Sequence, residues 1–194
     1  MHTIEVSLDP AERTHAAQQL VKSIYPNGGP PLWDMMGALY SAAADEMLTG
    51  GVCFFGIGLY DIEDQGGVAH CSLTMAVFES MEADQETVAH GILMTLQSDP
   101  MREVSWIDLP CGPAVSAMSF RKLLVDSDYT KSGEDEELVM GQIQVHIPFA
   151  TGPYTAVFTL DTASMEQWDE FSSAMAGIVG SVEFPELVDE AQSA

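Results

Sequence analysis

The stretch CFFGIGLYDIEDQGGVAHC, residues 53–71, brackets a G-x-G with two cysteines and sets a histidine beside the second. Residues of these types serve three chemistries: a disulfide, a thiolate–imidazole metal site, or a glycine loop around a phosphate. Alternation argues for a hairpin instead. Cys53, Phe55, Ile57 and Leu59 share one face of a strand, as do Ala69, Cys71, Leu73, Met75 and Val77 in the next, and DIEDQGG supplies the turn. Facing the two apolar sets predicts Leu59 opposite Cys71 and Cys53 opposite Val77. The thiols then lie roughly 20 Å apart along the ladder, at about 3.3 Å per residue, too far for a disulfide or a shared zinc. Gly56 and Gly58 fall inside the strand and are expected to leave room on its outer face. His70 is expected on that face near Tyr60, which makes Tyr60 and His70 the pocket candidates.

The other reactive residues are isolated. His2, His15, His70, His90 and His146 form no H-x-H, H-x-x-x-H or H-E-x-x-H pair. Cys111, in LPCGPA, has no neighbouring histidine to activate it, so an inert turn thiol is expected. No G-x-S-x-G elbow, phosphate loop or calcium loop is present. GEDEE reads as a solvated charge run. No catalytic residue, metal site or cofactor is expected, and a non-catalytic protein is the first expectation.

Composition narrows the partners. Thirty acidic residues face six basic ones, a net charge of −24, while charged residues make up 19 % of the chain. That fraction is below the usual ~25 %, so the imbalance comes chiefly from missing Lys and Arg. Such a surface repels phosphate backbones and anionic lipid heads, and it suits a protein partner with a basic or mixed surface. Direct nucleic-acid and membrane binding are not expected, and a homodimer is left open. Three cysteines without C-x-x-C spacing, no long apolar run and no basic–apolar leader point to the cytoplasm.

Periodicity supplies the elements that must position any site. Asp9 caps a helix with Pro10 at its first position, and Ala16, Ala17, Leu20, Val21 and Ile24 make its apolar stripe. A second helix runs from PPLW to Gly50-Gly51. After the hairpin, a helix over ADQETVAHGILMTLQSDP, ended by Pro100, turns Val88, Ile92, Leu93 and Leu96 inward. EVSWIDL and AVSAMSFRKLLV are strands, and DSDYTKSGEDEE is a solvated loop. QIQVHIPF and YTAVFTL form a second hairpin with Ile147 facing Ala156 and Val145 facing Phe158. Ser164 to Gln167 reads as a capping box opening a last helix, SVEF as a last strand, and residues 186–194 as a disordered acidic tail. The order α-α-β-β-α-β-β-β-β-α-β over residues 1–185 predicts a single α+β domain: a mainly antiparallel sheet with two N-terminal helices and further helices packed on it.

From Val139 to Phe184 the chain, with its hairpin, its helix holding Trp168 and Phe171, and its S-V-E-F end, resembles the last part of PsbP/Mog-type domains. Together with REVSWIDLPCGPAVSAMSF, this half also resembles a group of uncharacterised actinobacterial proteins. The resemblance implies an adaptor or binding module and supplies no catalytic residue. Three functions are therefore weighed. The first is an interaction or chaperone-like adaptor that docks a protein partner. The second is a small-molecule binder or enzyme with a pocket between the sheet and the N-terminal helices, and the third is an acidic mimic of nucleic acid. For the first, Gln142, Gln144, His146, Thr155 and Thr159 form a polar, almost uncharged strand face suited to partner binding.

Overall fold

The computed structural model describes residues 2–5, 9–62, 67–130 and 132–184. The fold is α+β. Asp9 accepts hydrogen bonds from the Ala11 and Glu12 amides and opens α1 (Pro10–Ile24), which pairs with α2 (Pro30–Thr49). Buried Arg13 binds Asp45 across that pair, at 3.0 Å from Nε. The strands are β1 (His2–Glu5), β2 (Val52–Ile62), β3 (Gly67–Glu79), β4 (Arg102–Leu109), β5 (Gly112–Val125), β6 (Glu136–Pro148) and β7 (Tyr154–Thr162). They form one sheet in the order β1-β2-β3-β7-β6-β5-β4, antiparallel throughout. Between β3 and β4 lies α3 (Gln85–Gln97), and α4 (Trp168–Gly180) follows β7.

Each face of the sheet has its own cover. On one, Phe171, Met175 and Val179 of α4 pack on Cys71, Leu73, Ile143, Val145, Ile147, Ala156, Phe158 and Leu160, all buried. This is the main core, built from the alternation of three strands. On the other face, α3 lies over β4, β5 and β6, and the His90 ring rests on Trp106 at 4.6 Å. Packing of α2 on β2 sets Tyr40, Ala43, Ala44 and Met47 against Phe55 around a cavity of about 70 Å³.

The second hairpin has the expected register, with Ile147 opposite Ala156 and Val145 opposite Phe158. The first does not. Leu59 pairs with His70, and Gly58 pairs with Cys71. A bulge between Val52 and Phe54 takes Cys53 out of the ladder, where its thiol donates to the Met75 carbonyl at 3.4 Å. Phe54, Gly56, Gly58 and Tyr60 therefore share the core face with Ala69, Cys71 and Leu73. Gly58 makes room for Cys71: a Cβ there would stand 2.8 Å from its sulfur and 2.8 Å from the Tyr60 ring. The glycines open the core face, not the outer one.

The ends of the chain also differ from expectation. β1 adds a strand beside β2, while residues 181–184 form no strand. Ser164 caps nothing; its hydroxyl accepts the His70 amide, and a short 3₁₀ turn leads into α4. The acidic strand ends Glu136 and Glu137 belong to β6, so the solvated loop is shorter than its composition suggests. The acidic tail, residues 186–194, lies outside the described residues.

Candidate functional site

The residues chosen for partner binding sit on the face of β6 and β7 that α3 overhangs. Gln144 and His146 from β6, with Thr155 and Val157 from β7, floor an open cleft of about 650 Å³. Val88, Gly91, Ile92 and Leu96 of α3 form its wall, and Phe78 to Glu82 its mouth. This wall is the apolar stripe read as core, yet Val88, Ile92 and Leu96 are only half-buried and Ala89 alone in α3 is fully buried. The helix is pinned at its start. Asp84 caps it through the Thr87 amide, and Gln85 donates to the Pro148 carbonyl at 2.8 Å. Its small residue, Ala89, turns inward, and the larger side chains line the space left beside it.

Polar groups in the floor are paired, with one exception. Gln144 Oε1 accepts from Arg102 at 3.1 Å, and Arg102 is held in turn by Asp99 at 3.0 Å. The Thr155 hydroxyl meets Ser80 at 2.7 Å. His146 Nε2 is buried and has no hydrogen-bond partner among the described residues. Leaving such an atom unsatisfied costs about 1–3 kcal/mol, so a native structure keeps one for a reason. Burial, and then the Arg102 charge, push the imidazole from 6.5 down to about 4. The ring is neutral at pH 7: one nitrogen donates and the other accepts.

That shift has a measurable sign. Between about pH 6.5 and 4 the unfolded chain takes up a proton here that the folded chain refuses. The stability held by the neutral ring is whole above 6.5 and is lost as pH falls through 4. The full shift is worth roughly 3 kcal/mol. His146→Leu should shrink the stability lost between pH 7 and pH 4.5, read by urea unfolding, by about 2 kcal/mol relative to the parent. Equal losses in the two proteins would contradict this environment for the ring.

Gln142 and Thr159 lie on the same face, outside the cleft. Gln142 binds Asp161 at 2.8 Å, and Thr159 lies 3.5 Å from the Gln144 amide. The fold does not bring Tyr60 and His70 together. Tyr60 packs edge-on against Phe171 on the core face, whereas His70 points to the other and lies 3.4 Å from Ser164 Oγ. Burial raises the thiols of Cys53, Cys71 and Cys111, which disfavours the reactive thiolate. Among the described residues no group of three or more His, Cys, Asp or Glu is placed to hold a metal ion, and no helix is long and apolar enough to cross a membrane. Sequence reasoning missed the α3 wall and Arg102. A signal was present, because Thr87, Gly91 and Thr95 recur along the apolar stripe of α3 at helical spacing.

No family model, curated protein or solved structure matches this chain.

Proposed function

We propose that this chain is a non-catalytic binding module whose seat is the cleft under α3. Its ligand is a small, largely apolar molecule with a neutral hydroxyl head that reaches His146. The unpartnered Nε2 in the floor of an apolar cleft carries this reading. The volume lies within the ~300–1,000 Å³ common for small-molecule sites, which pair apolar walls with a few placed polar groups. A carboxylate head would find Arg102 already held by Asp99 and Gln144, and a cationic head would meet Arg102 across a neutral ring. The cytoplasm is part of the same reading, supported by three free thiols.

A series of para-alkylphenols, titrated by calorimetry, tests it. Affinity should rise about fourfold per methylene, the effect of roughly 0.8 kcal/mol per buried CH₂, and level off once the tail reaches the mouth. Affinity independent of chain length would reject the cleft as the seat.

A second reading keeps the cleft and changes the occupant to an apolar side chain of a basic protein partner, as an adaptor would use. The net charge of −24 and the fully exposed Met81 at the mouth favour it. Partner capture should then weaken with salt, since exposed charges are screened beyond about 8 Å at physiological ionic strength.

A further inference from the structure

Two polar groups of the cleft floor face a ligand from the same strand. Gln144 and His146 are alternate residues of β6, and both line the cleft. Side chains stand roughly perpendicular to a sheet, so these two stems run side by side about 6.6 Å apart, at about 3.3 Å per residue. One ligand oxygen at about 2.9 Å from each tip spans at most roughly 5.8 Å. The hydroxyl that reaches His146 therefore leaves Gln144 to a second atom of the ligand.

Arg102 decides what that second atom must be. A guanidinium carries donors only, so the Gln144 atom that meets it at 3.1 Å is the carbonyl oxygen Oε1, and the amide nitrogen points elsewhere. Sheet register gives the direction. Arg102 pairs with Ser119 and Ser119 with Gln142, one row beyond Gln144 on the side away from His146. Oε1 is drawn toward that row, and Nε2 turns toward β7. Its partner there, among the described residues, is Thr159 Oγ1 at 3.5 Å, the outer limit of a hydrogen bond. An amide nitrogen has two hydrogens, so one at least is left for a ligand. Asp99 holds Arg102 Nε at 3.0 Å and keeps the clamp in place.

We infer that Arg102 is a positioning residue that locks Gln144 as a donor, and that the ligand carries an acceptor-only oxygen, an ether or a carbonyl, beside its hydroxyl. This rests on the cleft being the seat of a small molecule, and it adds the chemical group that the seat selects. A glutamine free to flip would offer a donor or an acceptor as needed. A clamped one sets its N–H against any second donor on the ligand, which leaves both without a partner.

Calorimetry with para-butylphenols carrying methoxy, ethyl or amino ortho to the hydroxyl tests this. Ethyl matches methoxy in shape without the acceptor, and amino replaces the acceptor with a donor. The parent should bind the methoxy compound about fivefold tighter than the ethyl one, the worth of one neutral hydrogen bond, and at least roughly tenfold tighter than the amino one. Arg102→Met frees the amide, so its methoxy-to-amino ratio should fall about threefold or more. Arg102→Lys, again with donors only, should restore the ratio, with urea unfolding showing that each variant compared is folded. A parent that binds the series but favours methoxy over neither ethyl nor amino overturns the inference and leaves the cleft as the seat. A folded Arg102→Met protein that keeps the parent's ratio overturns it as well. Binding of none of the three compounds rejects the seat itself, and the inference with it.

Discussion

Gly91→Trp is expected to reduce alkylphenol binding at least 100-fold while leaving the protein folded. Gly91 lies in the wall of the cleft, midway along α3, and a Cβ there would meet nothing within 4 Å. An indole at this position has open space before it, and that space is the site. Stability should hold or rise, because glycine inside a helix is less favourable than an ordinary residue by about 0.3–1 kcal/mol. Calorimetric titration beside urea unfolding separates the two effects. Unchanged affinity in a folded variant would place the ligand elsewhere.

Gly141→Val should be the most damaging single change to the fold. Gly141 sits buried in β6, paired with Phe120 and Thr162, and the Trp168 indole lies directly over it. A Cβ would come within 2.9 Å of Trp168 Cε3 and 3.1 Å of the Met165 sulfur. Trp168 cannot step aside freely: it opens α4 and packs on Phe120 at 5.0 Å. Moving it lifts the start of the helix that closes the main core. Overpacking of this kind costs about 1–3 kcal/mol and occasionally more; three added heavy atoms against a rigid ring put the expected loss near 3 kcal/mol or above. That is a large part of the roughly 5–15 kcal/mol that holds a typical domain folded. Trp168→Ala in the same chain should recover part of the loss, because the two sites share one contact. A wild-type urea midpoint for Gly141→Val would contradict the packing of α4.

Regular alternation made much of the fold legible. In QIQVHIPF and YTAVFTL one face is apolar and the other polar, so only one register buries the apolar set, and the structure adopts it. CFFGIGLY lacks that contrast. Its odd positions are uniformly apolar, while its even positions hold Phe54, two glycines and Tyr60, which read as an outer face. Glycines with no side chain carry no polarity signal, and the core uses them to admit Cys71 and the Tyr60 ring. The bulge that drops Cys53 from the ladder then adds one further residue of shift at Val52.

The site was legible in half. The uncharged strand face of Gln144, His146 and Thr155 stood out against a chain of net charge −24. Its other half was marked only by the small residues Thr87, Gly91 and Thr95, because Val88, Ile92 and Leu96 have the same spacing whether a helix lies flat on a sheet or stands off it. What decides between these is the depth to which α3 settles, and that is set by Ala89 and by the anchors Asp84 and Gln85. Periodicity does not encode such a depth. Arg102 escaped notice for a related reason: it reaches the cleft from the edge strand through Gln144, a contact made by sheet order and not by sequence distance.

The most direct test is a map of amide, methyl and imidazole chemical shifts during titration with para-butylphenol at pH 7. The largest changes should fall on His146, Thr155, Val157, Val88, Ile92 and Leu96, with the His146 Nε2 resonance moving as it gains a hydrogen bond. Changes confined to other surfaces, or none at millimolar phenol, would contradict the assignment of the cleft as the binding site.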